Sequence, residues 1–136
     1  MFEISDKSIE EIILKNRFDP VVGGVVTFEG RVRNHNDGHK VKSLEYQAFE
    51  EMALVEGNKI VKEALEVFGI EQLFCVHRTG HLKISDLAIW IYAASKHRKE
   101  AFLACQYTID EIKKRVPVWK REHYQDLEPQ WVQCHH

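Results

Sequence analysis

The sequence has few of the features that mark disulfide-rich, membrane or nucleic-acid-binding proteins. It contains three cysteines in 136 residues, odd in number and none in a CxxC arrangement, so no disulfide framework is indicated. No apolar run approaches the roughly 18 residues that a membrane-spanning helix needs. The first residues lack the basic-then-apolar order of a signal peptide. These absences predict a cytoplasmic protein.

An excess of positive charge is also missing. Lys and Arg total 19 and Asp and Glu total 21, a net charge of −2, whereas a general nucleic-acid binder carries a basic excess. The basic residues are nevertheless clustered, at 31–33, 97–99, 113–115 and 120–121. Such clusters on a nearly neutral chain suit a compact anionic ligand better than a long polyanion.

The composition is that of an ordinary globular protein. Hydrophobic residues make up 44% and charged residues 29% of the chain, which argues against disorder. There is no internal repeat and no Pro/Gly-rich linker. We therefore expect residues 1–136 to form a single domain.

Apolar periodicity and turn residues predict an α+β fold with two long helices packed on a mixed sheet. Gly69 ends the first long helix, and Pro117 ends the second because proline lacks the N–H that a helix needs. The predicted elements are a short helix at 5–16, strands at 21–32 and 41–49, a helix at 50–68, strands at 72–78 and 86–94, a helix at 96–116, and short strands at 118–122 and 131–132.

Cysteine and histidine give little support for a metal site. Cys75 and Cys105 lie among apolar residues and are expected to be small buried hydrophobes. His77 and His81 flank a predicted turn, and no HExxH motif or Cys/His set accompanies them. We therefore expect no metal, and we assign no role to the terminal histidines 135–136.

Two lysines lie on either side of the predicted helix end. Lys113 is near the C-terminus of the helix at 96–116, and Lys120 follows the break at Pro117. The break allows the chain to fold back and bring both ammonium groups toward one pocket. Such a pair supplies a base or a nucleophile, or holds a phosphate or carboxylate. The alternative is a solvated lysine stabilised by the helix dipole.

Other cationic residues lie at the ends of elements. His97 and Arg98 open the second long helix, and helix N-termini bind anions through their unpaired N–H groups. Arg33 follows the first predicted strand, beside Asn34 and His35, and is a candidate for gripping phosphate. The alternatives are a polar helix start for the first pair and a plain turn residue for Arg33.

Four segments together resemble one family, the large subunit of molybdopterin synthase. They follow one another in the family's order with similar gaps and cover about residues 21–122. The segments are the Gly-Arg-x-Arg-Asn-His run at 30–35, the HR-x-G turn at 77–80, the S-x-HR-x-x-AF helix start at 95–102, and the K-x-R-x-P-x-WK-x-E block at 113–122.

The resemblance implies a fold, a reaction and a set of partners. It implies an α/β-hammerhead-like fold. It implies a sulfurtransferase that converts cyclic pyranopterin monophosphate to the molybdopterin dithiolene in molybdenum cofactor biosynthesis. The sulfur would arrive as a thiocarboxylate on the C-terminal tail of a small ubiquitin-like subunit, so no further cofactor is expected. The family assembles as a heterotetramer around a homodimer of large subunits.

The resemblance also implies roles for individual residues. Lys113 would be the catalytic lysine close to the thiocarboxylate, and Lys120 its partner in substrate handling and charge stabilisation. Phe28 would be an apolar wall against the partner's tail. Arg33, His97 and Arg98 would bind the substrate's phosphate and pterin.

Two other functions remain possible from the residues alone. One is a non-catalytic module that binds phosphorylated ligands or nucleic acid through the same cationic clusters. The other is an inactive subunit kept for assembly, which would be expected to lack Lys113 or Lys120. Both lysines are present, which favours the enzyme.

Overall fold

The computed structural model describes residues 1–10, 19–36, 38–124 and 131–133. The second half of the predicted helix at 5–16, residues 11–16, lies outside the described residues, as do Cys134 and the two terminal histidines, and Ser5 belongs to a strand instead. The first described element is a strand that the sequence did not reveal, β1 at Phe2–Ser5.

The first sheet is mixed and holds the most buried strand. It contains β1, β2 (Gly24–Arg31), β5 (Gln72–Arg78) and β7 (Leu87–Ser95), in the order β1-β5-β7-β2. β1 runs parallel to β5, and the other pairs are antiparallel. Every residue of β7 is buried, as its apolar sequence predicts for a central strand.

The second sheet is antiparallel and is built on the long strand β4 (His39–Ala48). β4 pairs with β8 (Val118–Tyr124) along most of its length, and β9 (Trp131–Gln133) pairs with the far side of β8. Two short strands pair with β4, β3 (His35–Asn36) and β6 (Gly80–Lys83). β6 lies in a segment that the sequence suggested was only a turn.

Two long helices connect the sheets and pack against the first of them. The helix α1 (Glu50–Phe68) ends at Gly69, whose φ of 62° is the left-handed conformation that glycine adopts without cost. The helix α2 (Arg98–Arg115) ends just before Pro117. α1 contacts α2, β1 and β5, and α2 also contacts β2 and β7. The predicted α+β class with two long helices on a mixed sheet is confirmed. In the described parts of the chain, neither helix is apolar enough over its length to cross a membrane.

Both described cysteines belong to the core. Cys75 is fully buried on β5, and Cys105 is 5% exposed on α2. Burial raises the pKa of the Cys105 thiol to about 11, because the thiolate is poorly solvated there. Their predicted role as small buried hydrophobes is confirmed.

An ion-pair network joins the two helices on their outer side. Arg115 donates hydrogen bonds to Glu56 at 2.9 Å and to Glu63 at 2.7 and 2.9 Å. Tyr107 also donates to Glu63, at 2.8 Å. These bonds, those from Arg115 first, lower the pKa of the Glu63 carboxyl to about 2. The network fixes α2 against α1 close to the turn that carries Lys113.

Replacing Gly57 with Ala should lower the free energy of unfolding. A Cβ at this position on α1 would lie 2.3 Å from a ring carbon of Phe2, which is only 2% exposed and held by β1. Overpacking of this kind costs about 1–3 kcal/mol, which exceeds the gain in helix propensity of about 1 kcal/mol. Urea unfolding measures the difference. Combining Gly57→Ala with Phe2→Leu should cost less than the sum of the two single changes. Strict additivity would contradict the proposed clash.

Candidate functional site

Two adjoining cavities open where β2, β4, β8 and the end of α2 meet. The first has about 350 Å³ of empty space and is lined by Lys120, Glu122, Arg33 and His35 among others. The second has about 780 Å³ and is lined by Lys113, Phe28, Gln106 and Asp110 among others. Arg31 and Tyr46 line both cavities. The structure therefore places the two predicted lysines on either side of a shared wall.

Lys120 is held by a buried ion pair. Its ammonium nitrogen Nζ lies 3.0 Å from Oε1 of Glu122, and the two side chains are 14% and 5% exposed. They are two residues apart on β8, so the pleat points both to the same face. Tyr124 donates a hydrogen bond to the other carboxylate oxygen of Glu122 at 2.7 Å. Lys120 is thus a positioned cation and not a solvated surface lysine.

Lys113 lies in the last turn of α2, half-buried, and faces the second cavity. Phe28 on β2 lines the same cavity and is 37% exposed. Gly30 and Ile89 line this cavity as well, and a Cβ on Gly30 would lie 2.6 Å from the side chain of Ile89. Position 30 therefore admits no side chain unless Ile89 shifts. Phe28 also lines an apolar groove of about 520 Å³ with Phe102, Gln106 and Ile109, so this groove leads into the Lys113 cavity.

His77 supports the shared wall from the interior. Its ring lies edge-on to Tyr46 with 5.1 Å between ring centroids. Its Nδ1 lies 2.9 Å from the carbonyl oxygen of Arg78. Because a carbonyl only accepts, Nδ1 carries the proton and donates this bond. Burial lowers the pKa of His77 to about 4, so the ring is neutral at pH 7.

The neutral state of His77 predicts a pH dependence of stability. The unfolded chain protonates this histidine below about pH 6.5, whereas the folded protein resists protonation down to about pH 4. Stability should therefore fall as the pH is lowered from 6.5 to 4, by roughly 3 kcal/mol from this group. The free energy of unfolding, measured by urea titration across this range, should have a shallower slope for His77→Gln than for wild type. Equal slopes would show that His77 titrates normally in the folded protein.

The cavity walls carry more positive charge than the sequence motifs alone suggested. Arg33, for which phosphate binding was predicted, is exposed and lines the Lys120 cavity. Arg31 was not singled out, although it lines both cavities. It donates to the carbonyl oxygen of Ser85 at 2.7 Å and pairs with Glu29 at 3.0 Å. Its sequence signals were its place in the basic cluster at 31–33 and in the Gly-Arg-x-Arg-Asn-His run at 30–35.

His97 and Arg98 lie at a different place on this chain. They are exposed at the N-terminal end of α2, where the backbone of Arg98 packs against Gly24. Lys113 lies at the other end of the helix, about 22 Å away at 1.5 Å of rise per residue. Within one chain, the structure does not bring these two residues to the cavities that hold the lysines.

The arrangement can bind and polarise a compact anion. Four cationic side chains, those of Arg31, Arg33, Lys113 and Lys120, line the two adjoining cavities. Cations held in partly dry cavities stabilise negative charge that develops in a reaction far better than they would in water. The apolar groove beside Phe28 adds a path by which an extended segment can reach Lys113.

Comparison with known proteins identifies relatives over most of the chain. A family model described as "MoaE protein" matches residues 3–115. A molybdopterin synthase catalytic subunit of Pyrococcus abyssi is 49% identical over 100 residues, covering 74% of this chain and 68% of that protein. The same subunit of Thermoplasma volcanium is 40% identical over 130 residues, covering 95% of each chain.

A solved structure has the same fold. The crystal structure of a molybdopterin synthase from Staphylococcus aureus superposes with a TM-score of 0.84 at 36% sequence identity. The match covers 96% of this chain and 94% of that one. The likeness therefore extends over both sheets and both long helices.

Proposed function

This chain belongs to the MoaE protein family, and from that premise we propose that it is the catalytic subunit of a molybdopterin synthase that transfers sulfur to cyclic pyranopterin monophosphate. The proposed sulfur donor is the C-terminal thiocarboxylate of a small ubiquitin-like carrier subunit. The proposed product is the dithiolene of molybdopterin. The family membership supports the synthase role, and the chemistry of the cavities supports the transfer.

One observation carries the proposal: Lys113 and Lys120 line adjoining cavities that share Arg31 and Tyr46. A tail that lies in the groove beside Phe28 would place its terminal thiocarboxylate at Lys113. A substrate whose phosphate is bound by Arg33 and Arg31 would then present its side-chain carbons to the same point. The two reactants would meet at the shared wall, within reach of both lysines.

Negative charge develops at two stages of the proposed reaction, and each stage needs a cation to stabilise it. The thiocarboxylate sulfur forms a bond to a substrate carbon while a carbon–oxygen bond at that carbon breaks, and the departing oxygen takes the electron pair and a proton. The carrier is then attached to the substrate through a thioester. Water attacks the thioester carbonyl, the carbon–sulfur bond to the carrier breaks, and the carrier leaves as a carboxylate while the sulfur stays on the substrate. Lys113 stabilises the oxyanion formed at the carbonyl, and Lys120 balances charge that develops on the substrate. Two such transfers supply both sulfurs.

The assembly follows from the same proposal. The small carrier subunit is the partner, and two catalytic subunits form a homodimer within a heterotetramer. No further cofactor is required, because the carrier supplies the sulfur. His97 and Arg98, which lie away from the lysines on one chain, remain proposed substrate-binding residues.

The direct test is product formation by the complete two-subunit enzyme. The full chain is combined with a small subunit that carries a C-terminal thiocarboxylate and with cyclic pyranopterin monophosphate. We expect molybdopterin to form, with two carriers consumed per product. The matched control is the same small subunit with an ordinary C-terminal carboxylate, which should give no product.

The competing function is a non-catalytic module that binds phosphorylated ligands. It predicts that the well-folded complex binds the pterin phosphate and forms no product with the thiocarboxylated carrier. That result would overturn the transfer proposal. Steeply salt-dependent binding of nucleic acid, combined with no product, would favour the nucleic-acid form of the alternative.

A further inference from the structure

A second cluster of polar side chains lies on the outer face of the second sheet. Glu45 on β4 is paired in register with His81 on β6 and with Arg121 on β8. His123 lies two residues beyond Arg121 and therefore points to the same face. Lys120 and Glu122 alternate with them and point to the inner face. The cluster is thus separated from the catalytic cavities by the thickness of the sheet.

The three side chains of Glu45, His81 and His123 converge. One potential ligand atom from each lies within 4.8 Å of the other two. Nε2 of His81 is 3.7 Å from Oε2 of Glu45, and Nε2 of His123 is 3.8 Å from Oε1. Both distances are too long for a hydrogen bond. The two imidazole rings are 5.9 Å apart between centroids and tilted by 33°.

His123 has an unsatisfied nitrogen at the centre of this group. Its Nε2 is buried and has no hydrogen-bond partner among the residues that the structure describes. A buried polar nitrogen without a partner costs free energy, so such atoms call for an explanation. A metal ion bound between His123, His81 and Glu45 would coordinate this nitrogen. It would also bridge the two distances between the imidazoles and the carboxylate that are too long for hydrogen bonds.

We propose that Glu45, His81 and His123 form a binding site for a divalent transition-metal ion, with Zn²⁺ as the first candidate. Two imidazoles and one carboxylate are a frequent ligand set for zinc, with a fourth position left to water or another donor. Bond lengths of about 2.0–2.2 Å set tetrahedral ligand atoms about 3.3–3.6 Å apart. The ligand atoms, which lie within 4.8 Å of one another, must therefore close in by at most about 1.5 Å. The side chain of His81 is 71% exposed, so it can rotate to do so.

Arg121 sets the charge of the site. Its guanidinium donates to Oε1 of Glu45 at 2.8 Å and stacks over the ring of Trp131, 4.9 Å from the centroid. It therefore balances the carboxylate when no ion is bound and leaves Oε2 for the metal. A nearby cation weakens metal binding, so we expect a reversible site and not a permanently occupied one.

This site departs from the sequence-based expectation of no metal. The sequence paired His77 with His81 by their spacing, but His77 is buried in the interior while His81 faces solvent. The partners of His81 come from two strands distant in the chain. The site would join β4, β6 and β8 on the face opposite Lys120, and it does not depend on the proposed sulfur transfer.

Zinc titration by calorimetry tests the proposal on the full chain. The parent protein carries Cys134→Ser, His135→Ala and His136→Ala, which remove the other donors near the C-terminus, and it is first stripped with a chelator. We expect one zinc ion per chain. His81→Ala and His123→Ala should each weaken binding by more than about tenfold, since even changes behind a ligand cost 10–100-fold. His39→Ala, a histidine outside the cluster, should bind as the parent does.

Thermal unfolding gives a second readout that does not depend on activity. Zinc should raise the Tm of the parent and of His39→Ala, but not that of His81→Ala. The absence of saturable binding to the parent would overturn the proposal, as would equal affinities for the parent and His81→Ala. If His123→Ala fails to fold without metal, the exposed His81 decides the outcome alone.

Discussion

Replacing Lys113 with Ala should reduce molybdopterin formation by more than about a hundredfold, since removal of one group that stabilises a developing oxyanion costs about 10²–10³ in rate. We expect this loss because Lys113 is half-buried at the end of α2 and lines the same cavity as Phe28. The rate is measured with the complete two-subunit enzyme and thiocarboxylated carrier. The free energy of unfolding is measured on the same variant, so that a loss of folding is distinguished from a loss of catalysis.

Lys114→Ala is the matched control for this change. Lys114 is the next residue on α2, its side chain is 72% exposed, and it pairs with Glu111 across one turn. A surface pair of this kind contributes about 0.2–1 kcal/mol to stability, so the variant should keep wild-type activity. Equal rates for wild type and Lys113→Ala would keep the synthase function but move the catalytic assignment away from Lys113.

Lys113→Arg separates two roles of the lysine. An electrostatic anchor keeps its charge in this variant, so much of the rate should survive. If Lys113 instead acts as a base or a nucleophile, the rate should be lost, because a guanidinium stays protonated at any pH a protein tolerates. A loss as large as that of Lys113→Ala would therefore indicate that the lysine exchanges a proton or forms a bond during the reaction.

The elements that the sequence predicted best are those with strong local signals. The helix at 50–68 was predicted with its observed ends, because its apolar stripe stops just before Gly69, which forms the C-cap. The strand at 72–78 was also predicted with its observed ends. The strand at 21–32 was predicted too long. In the structure β2 begins at Gly24. It is preceded by Gly23, at which a Cβ would lie 2.4 Å from the carbonyl oxygen of Lys96.

The elements that were missed owe their structure to distant partners. β1 has four residues and is a strand because Phe2 to Ser5 pair with β5, more than seventy positions away. β6 is equally short and exists through its pairing with β4. Strands of this length have too few residues to show a period of two. Local pattern therefore carries no information about them.

The site was predictable in its residue types but not in its geometry. Of the six residues to which the motifs pointed, the structure places Lys113, Lys120, Arg33 and Phe28 along the two adjoining cavities. It places the other two, His97 and Arg98, at the opposite end of α2. The shared wall of Arg31 and Tyr46 depends on the register of β4 against β8, which aligns Tyr46 with Lys120. No spacing within one segment reveals such a register.

Replacing Lys120 with Ala should lower both the free energy of unfolding and the rate of product formation. The change leaves the carboxylate of Glu122, 5% exposed, without its cation. Removal of one partner of a buried ion pair costs about 3–5 kcal/mol, because the other charge stays buried and unbalanced. Urea unfolding measures this loss, and the synthase assay below the unfolding transition measures the loss of rate.

The double variant Lys120→Met/Glu122→Gln separates the two effects. It removes both charges and keeps similar volumes, so stability should recover most of what Lys120→Ala loses. The amide introduced in place of the Glu122 carboxylate can still accept the hydrogen bond that Tyr124 donates there. Activity should remain low, because the cation that balances charge on the substrate is still absent. Recovery of activity together with stability would contradict a direct role and would mean that Lys120 serves only to neutralise Glu122 beneath the cavity.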